Sequence, residues 1–285
     1  MVRAGEPLGT LYIVPTPIGN LEDITLRALR VLKEVALIAA EDTRTSRVLL
    51  RHYDIQTPVT SYHEHNKLRK LDAIFDALAT GDVALVSDAG TPGISDPGYE
   101  LIREAIARGV RVEPLPGASA LVAALVASGL PPDGFLFLGF PPKKDRARRD
   151  FLDAVAAERR TLVLYESPNR LTDLLAALLE TLGDRPVSVA RELSKIYEEH
   201  RRGPASEVLT HFQENPPRGE IVVVVGGAVE PEPVEWDTAA VRAALRERLD
   251  AGEPLSSAAR AVATAAGWDR RAVYTLGVEE KNGGN

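Results

Sequence analysis

Cysteine is absent from all 285 residues, so disulfides, thiolate zinc sites and iron–sulfur clusters are excluded. No apolar run approaches the roughly 20 residues that span a bilayer. The opening "MVRAGEPLGTLYIV" lacks a secretory pattern, and the expectation is a soluble cytoplasmic protein with no membrane partner. Neither G-x-G-x-x-G nor a Walker lysine occurs in the first loop, so nucleotide phosphates are poorly served. Positive charge is also in deficit: the formal net charge is -7, which gives no global attraction to nucleic acid. A polyanionic partner has to be held by a local basic patch.

What is present is an ordinary globular balance, 45% hydrophobic and 26% charged, enough for a substantial core in more than one domain. Strands are expected at "TLYIVPT" (10–16), "VALIAAE" (35–41), "VALVS" (83–87) and "RVEPL" (111–115). Helical patterns occupy about 25–34, 44–53, 66–80, 97–108 and 118–128. Runs apolar throughout suit strands of a parallel sheet buried on both faces, and the alternation is the α/β signature.

"SGLPPDG" (128–134) reads as a junction, with two prolines and two glycines between a helix and a new strand. A second series follows at "FLFLGF" (135–140), "TLVLYE" (161–166), "VSVARE" (187–192) and "GEIVVVVGG" (219–227), with helices near 144–158, 168–182 and 204–213. The boundaries implied are 1–128 and 129–227 for two α/β domains and 228–236, "AVEPEPVEW", for an acidic proline-stiffened linker. Residues 237–276 follow a helical pattern, within a C-terminal module 237–285 that ends in a frayed "KNGGN".

Ligands of open α/β sheets bind outside the carboxyl ends of strands. Elaborate loops stand at four such ends in the first half: "PTPIGNLED" (15–23), "EDTR" (41–44), "SDAGTPGISDPG" (87–98) and "PLPGASA" (114–120). "YESPNR" (165–170) and "ARELSK" (190–195) add to them. Asp23 and Asp42 are N-caps or site residues on this reading, and both roles stay open. His63 and His65 in "SYHEHN" raise the question of a metal, but no spaced third ligand accompanies them, and a polar cleft is the simpler reading. No metal site is expected. Loop 87–98 combines bare glycines with two aspartates, which suits a ligand having a positive centre that backbone must approach closely. S-adenosylmethionine (SAM), with its sulfonium and amino group, is that kind of ligand.

The motifs "GTLYIVPTPIGNLEDIT", "AAEDTRTSRVLL", "VALVSDAGTPGISDPG", "PLPGASALVAAL", "FLGFPPKK", "YESPNR" and "VARELSKIYEEHRRG" occur in order across about residues 9–227. Together they resemble the tetrapyrrole methylase family, the class III SAM-dependent methyltransferases. Within it they are similar to the bacterial branch that 2'-O-methylates a decoding-centre cytidine of small-subunit (16S) ribosomal RNA. The resemblance implies two α/β domains with SAM folded in the cleft between them, and a homodimer. It assigns Ser87, Asp88, Ala89, Gly90 and Thr91 to the methionine part of SAM, and Gly117, Ala118, Ser119 and Ala120 to a second cofactor loop. Tyr165 and Glu166, with Val225 and Gly226, are expected at the adenosine.

A ribose hydroxyl is a weak acid, so a base that removes its proton late in the reaction helps transfer. Glu166 and Glu192 are the candidate bases, with Arg191 and Lys195 as orienters of nucleotide phosphates; the alternative is that both glutamates simply pair with Arg170 and Arg191. For RNA, "KKDRARR" (143–149) offers Lys143, Lys144, Arg146, Arg148 and Arg149, either as phosphate contacts or as a solvated helix face. Arg201 and Arg202 extend that patch, and Arg270 and Arg271 follow a Gly267 break in the tail. The tail is either an RNA-contact module or a helical hairpin covering an apolar face.

The whole chain is thus expected to be an RNA methyltransferase acting on the small ribosomal subunit. A tetrapyrrole-ring methyltransferase of the same fold and a non-catalytic ribosome assembly factor are the alternatives.

Overall fold

A computed structural model of the chain describes residues 8–63, 67–229 and 236–282. The chain divides into two compact units, Met1–Ala228 and Val229–Asn285.

The first series of elements builds a fully parallel sheet. Its strands are β1 (Leu11–Ile13), β2 (Leu37–Ala40), β3 (Val59–Ser61), β4 (Val83–Val86) and β5 (Val112–Pro114), in the order β3-β2-β4-β1-β5. Helices α1 (Leu26–Glu34), α2 (Thr43–His52), α3 (Lys67–Leu78) and α4 (Tyr99–Ala107) connect them. The unbroken apolar run of β4 is explained by its two buried faces. Val83 and Leu85 pack with Ile74 and Leu101, whereas Ala84 and Val86 pack with Leu32 and Leu50. Strand β3 is not legible as a strand in the sequence: it is three residues long, two of them hydroxylic, and it pairs only with β2.

Asp42 is indeed a helix cap, accepting from the Arg44 N–H of α2. Asp23 is not, because Thr25 caps α1 and Asp23 lies in a short 3-10 turn.

Helix α5 (Ala120–Ser128) ends the first series and turns to the second sheet. That sheet contains β6 (Phe135–Gly139), β7 (Thr161–Glu166), β8 (Pro186–Arg191), β9 (Glu199–Pro204) and β10 (Ile221–Val225), in the order β6-β7-β10-β8-β9. Only β6 and β7 are parallel; every other pair is antiparallel. One face packs under α6 (Asp145–Asp153), α7 (Leu171–Leu182) and α8 (Ala205–Glu214), through residues such as Leu152, Leu175 and Phe212. The other face receives Ala124 and Leu125 of α5 against Val163, Ala190 and Val222. Helix α5 is apolar on all sides, yet only part of it is covered: Val122 and Val126 remain 51% and 71% exposed. Strand β9 also carries no strand signal in the sequence. It is an edge strand, and its charged "EHRRGP" is the composition that protects edges from further pairing.

Among its described residues the second unit has three helices, α9 (Thr238–Asp250), α10 (Leu255–Ala266) and α11 (Arg270–Asn282). Val241, Leu245, Ala259, Val262 and Val273 form its core. Helix α11 continues past the expected end of the pattern through Lys281 and Asn282, and the rest of the expected frayed "KNGGN" lies outside the described residues. The expected linker falls largely on residues 230–235, outside the described residues.

Candidate functional site

The loops that leave the carboxyl ends of the parallel strands are stitched together. Thr16 and Gly90 exchange both backbone N–H···O bonds at 2.9 Å, which pins the loop after β1 to the loop after β4. Gly90 has a φ of 76°, a conformation that a side chain disfavours. The Thr91 hydroxyl donates to the Ala118 carbonyl at 3.1 Å, so the loop before α5 joins the same assembly. Gly117 is required by space: a Cβ there would lie 2.5 Å from Pro15 Cβ.

These loops wall a cavity of about 400 Å³. From the first series it is lined by Asp88, Ala89, Gly90, Thr91, Ser119 and Ala120, together with Ile18, Glu41, Ile94, Ser95 and Asp96. From the second it is lined by Tyr165, Glu166, Ser167, Pro168 and Phe140, and by Leu193 and Gly219 to Val222. Ser87 stands just behind, buried, its hydroxyl donating to the Ala89 carbonyl at 3.3 Å. Gly117 and Ala118 shape the turn without lining the cavity.

One wall is acidic. Glu41, Asp88 and Asp96 all face the cavity, and each carboxyl sits above its usual range, chiefly because burial penalises the charged form. Asp96 is pushed up to about 6, first by burial and then by the charge of Glu41. The Asp88 N–H donates to Glu41 Oε2 at 3.3 Å, and Asp42 N–H donates to Asp88 Oδ1 at 3.1 Å. Among the described residues, the basic groups acting on the three are Arg44 near Asp88, already paired with Asp42, and His63 near Glu41. A cation entering this cavity meets carboxylates in need of one.

The opposite wall is aromatic. Tyr165 packs edge-on against Phe137 and Phe140, with ring centroids 5.0 and 5.5 Å apart. Glu166 is buried beside it, and its Oε1 accepts from Arg170 Nε at 2.8 Å, from the second Arg170 nitrogen and from Ser167 N–H at 2.6 Å. Of the two readings of Glu166, pairing with Arg170 is the one seen.

Val225 and Gly226 lie elsewhere. Strand β10 runs antiparallel to β7, so its first residue Ile221 stands opposite Glu166, whereas Val225 stands opposite Leu162 at the far end. Gly226 there donates its N–H to the Pro186 carbonyl at 2.8 Å. The cavity end of β10 is Gly219 to Val222, not the Val225 and Gly226 that the resemblance assigns to the adenosine.

Glu192, Arg191 and Lys195 do not line this cavity either. Glu192 accepts from Lys195 Nζ at 2.9 Å and from Glu220 N–H at 3.1 Å, while Arg191 pairs with Glu199. The partner of Glu192 is thus Lys195, not Arg191. Lys195 reaches Glu220 as well, at 3.2 Å.

The basic residues separate. Lys143, Lys144, Arg146 and Arg149 are exposed, with Arg149 pairing Glu180 at 3.2 Å. Arg148 is only 6% exposed and pairs with Asp145 at 2.6 Å, because it shares the inward face of α6 with Leu152. It is a buried residue, not part of a surface grip. Arg202 donates to the Ala127 carbonyl at the end of α5, at 3.1 Å, and the Nε of Arg201 is buried on the other face of β9. Arg270 and Arg271 are exposed, but Asp269 caps α11 by accepting from the Arg271 and Ala272 N–H groups, so these helix-end amides are already occupied. His65 lies outside the described residues, and among those described no cluster of three or more potential ligands is arranged to hold a metal.

The sequence marks "EDTR" and the second aspartate of loop 87–98 without assigning Glu41 or Asp96 a role. Their signal is the same one that singles out Asp88: a carboxylate in a loop at a strand's carboxyl end. Nothing local points to Phe140 or Gly219.

A family model described as Tetrapyrrole (Corrin/Porphyrin) Methylases matches residues 10–209. A protein named ribosomal RNA small subunit methyltransferase I from Halalkalibacterium halodurans is 47% identical over 272 residues, 94% of each chain. One of the same name from Pseudomonas aeruginosa is 47% identical over 277 residues, 96% of this chain and 98% of that one. Among solved structures, uroporphyrin-III C-methyl transferase from Thermus thermophilus, complexed with S-adenyl homocysteine, superposes with a TM-score of 0.55. It is 23% identical and covers 76% of this chain and 97% of its own.

Proposed function

The chain belongs to the tetrapyrrole methylase family and is a methyltransferase, and from that premise we propose that it uses SAM to 2'-O-methylate a cytidine ribose in the decoding centre of small-subunit ribosomal RNA. The observation that carries the cofactor is the cavity wall of Glu41, Asp88 and Asp96, whose charge has too few cations opposite it. The observation that carries the acceptor is the named activity of relatives that match nearly the full length.

The residues fit SAM. Its sulfonium and amino group suit the acidic wall, its adenine suits the aromatic wall of Tyr165 and Phe140, and the bare turn at Ala89 and Gly90 admits it to backbone. When bound, SAM supplies a methyl group on a cationic sulfur, which the acceptor oxygen takes as its own proton leaves. Displacement is in line, so the chain's main task is to hold the acceptor oxygen against that methyl. Asp96 is the best-placed proton acceptor: it lines the cavity, and its carboxyl is held near 6, whereas Glu166 is committed to Arg170 and Glu192 lies outside. The exposed Lys143, Lys144 and Arg146 hold phosphates. Arg270 and Arg271 do so through their side chains alone. The protein acts in the cytoplasm as a homodimer of two α/β domains, 1–128 and 129–227, joined to the helical module.

The test is to offer methyl-labelled SAM with unmodified small ribosomal subunits, naked ribosomal RNA and a tetrapyrrole. Label in the RNA of the subunits supports the reading. Label in the tetrapyrrole alone assigns the chain to ring methylation instead.

A further inference from the structure

A second cavity, again about 400 Å³, adjoins the first and shares Ile18, Ser119 and Leu193 with it as a common wall. Its floor is the alanine edge of α5, Ala123 and Ala127, one turn apart. Its rim is made by two loops, "IGNLED" and "ELSKIYEE", which meet the first cavity at Ile18 and Leu193. Asp23 of the first and Ser194 of the second meet through a hydrogen bond from the Ser194 hydroxyl. Ser194 holds a left-handed backbone with φ 66°, and Glu192 does so with φ 53°, strain of the kind that fold stability alone does not call for.

Glu198 organises the polar side. It accepts from Ser194 N–H at 2.7 Å and pairs with His200 Nε2 at 3.1 Å. That contact assigns the proton of the neutral imidazole to Nε2, which leaves Nδ1 as an acceptor. Nδ1 is buried and has no partner among the described residues. Between Ser194 and Glu198, which both line the cavity, the loop exposes Ile196, 95%, and Tyr197, 73%.

Resting on the function proposed above, we propose that this second cavity takes the acceptor nucleoside, an amino-bearing pyrimidine turned out of a single-stranded RNA segment, with Tyr197 stacking on its neighbour. Apolar Ile18, Leu193 and the alanine floor accept the flat base. The carboxylates of Asp23 and Glu198 repel phosphate and accept from an exocyclic amino group, the feature that distinguishes cytosine from uracil. Extruded bases are read in this way, by their hydrogen-bonding edge and by stacking. The volume is of the size that encloses a small ligand. The shared wall sets the nucleoside beside the bound cofactor.

The full chain is tested with unmodified small ribosomal subunits and labelled SAM, using Ala123→Phe to fill the cavity and Glu198→Gln to remove its charge. Both variants should lose tenfold or more in kcat/KM for subunits, Glu198→Gln mainly through KM, while calorimetric SAM affinity stays within twofold of wild type. Wild-type transfer rates in Glu198→Gln and Ala123→Phe together overturn the site, as does a loss of SAM affinity in Glu198→Gln. Should Ala123→Phe fail to fold, the KM of Glu198→Gln decides alone. A wild-type protein that labels no RNA refutes the function itself, an outcome distinct from active wild type with indifferent variants.

Discussion

The backbone N–H of Asp88 donates to the carboxylate of Glu41 at 3.3 Å, so two loops that are 47 residues apart in sequence bring their acids to one wall of the cavity. The cost of gathering them there is visible in the raised protonation of both, and a cationic ligand relieves it.

Removing one of those charges while keeping its shape should weaken the ligand. Asp88→Asn is expected to lower SAM affinity by about tenfold, the low end of the roughly 1.5–3 kcal/mol of a charged hydrogen bond, because Asp88 is only partly buried. Isothermal calorimetry measures it, and an unchanged affinity removes Asp88 from the cofactor.

Acidity should control the same affinity. Asp96 is raised to about 6, so it is largely protonated at pH 5 and ionised at pH 7. A raised carboxyl favours the folded state only while protonated, and that contribution fades as pH rises from about 4, the usual aspartate value, through 6. The cation of SAM prefers the ionised form, so its affinity should increase from pH 5 to 7.5 and its stabilisation of the fold should increase with it. Asp96→Asn should flatten the profile. A flat profile in wild type contradicts the acidic wall as the cation's site.

The basic run should divide by burial. Changing Lys143, Lys144 and Arg146 to glutamine should weaken binding to small-subunit RNA. The salt dependence should become shallower by about 0.7–0.9 in log–log slope for each phosphate that is no longer neutralised. Arg148→Ala should instead lower stability by about 1–3 kcal/mol, by removing the buried guanidinium and its pair with Asp145, and leave the slope alone. Filter binding across salt and thermal unfolding separate the two effects.

Much of this arrangement is legible in the sequence because it is local. Buried parallel strands write themselves as unbroken apolar runs, and β4 with its glycine and aspartate loop stands out for that reason. The antiparallel course of β10 is not local: "GEIVVVVGG" reads the same in either direction, so nothing in the sequence corrects the end, Val225 and Gly226, that the resemblance assigns to the adenosine. Arg148 shows a related limit, since a charge run hides the one member that turns inward with Leu152. Strands β3 and β9 are short or charged because they are edges, and edges carry little apolar signal.

The helical module should be separable. The unit Met1–Ala228 contains every residue lining the first cavity, so a chain ending at Ala228 is expected to fold and bind SAM normally. With Arg270 and Arg271 gone it should methylate subunits at least tenfold more slowly. Circular dichroism, calorimetry and initial rates check the three parts. Failure to fold would place the tail in the core, and full activity would remove it from RNA contact.

The most direct measurement is the position of the transferred methyl group. Small ribosomal subunits lacking the modification are incubated with the protein and methyl-labelled SAM, and the RNA is then hydrolysed in alkali. A 2'-O-methyl group blocks cleavage at its own nucleotide, so label is expected in a single alkali-stable dinucleotide beginning with cytidine. Label released as a mononucleotide, label on a base, or no label in the RNA at all would contradict it.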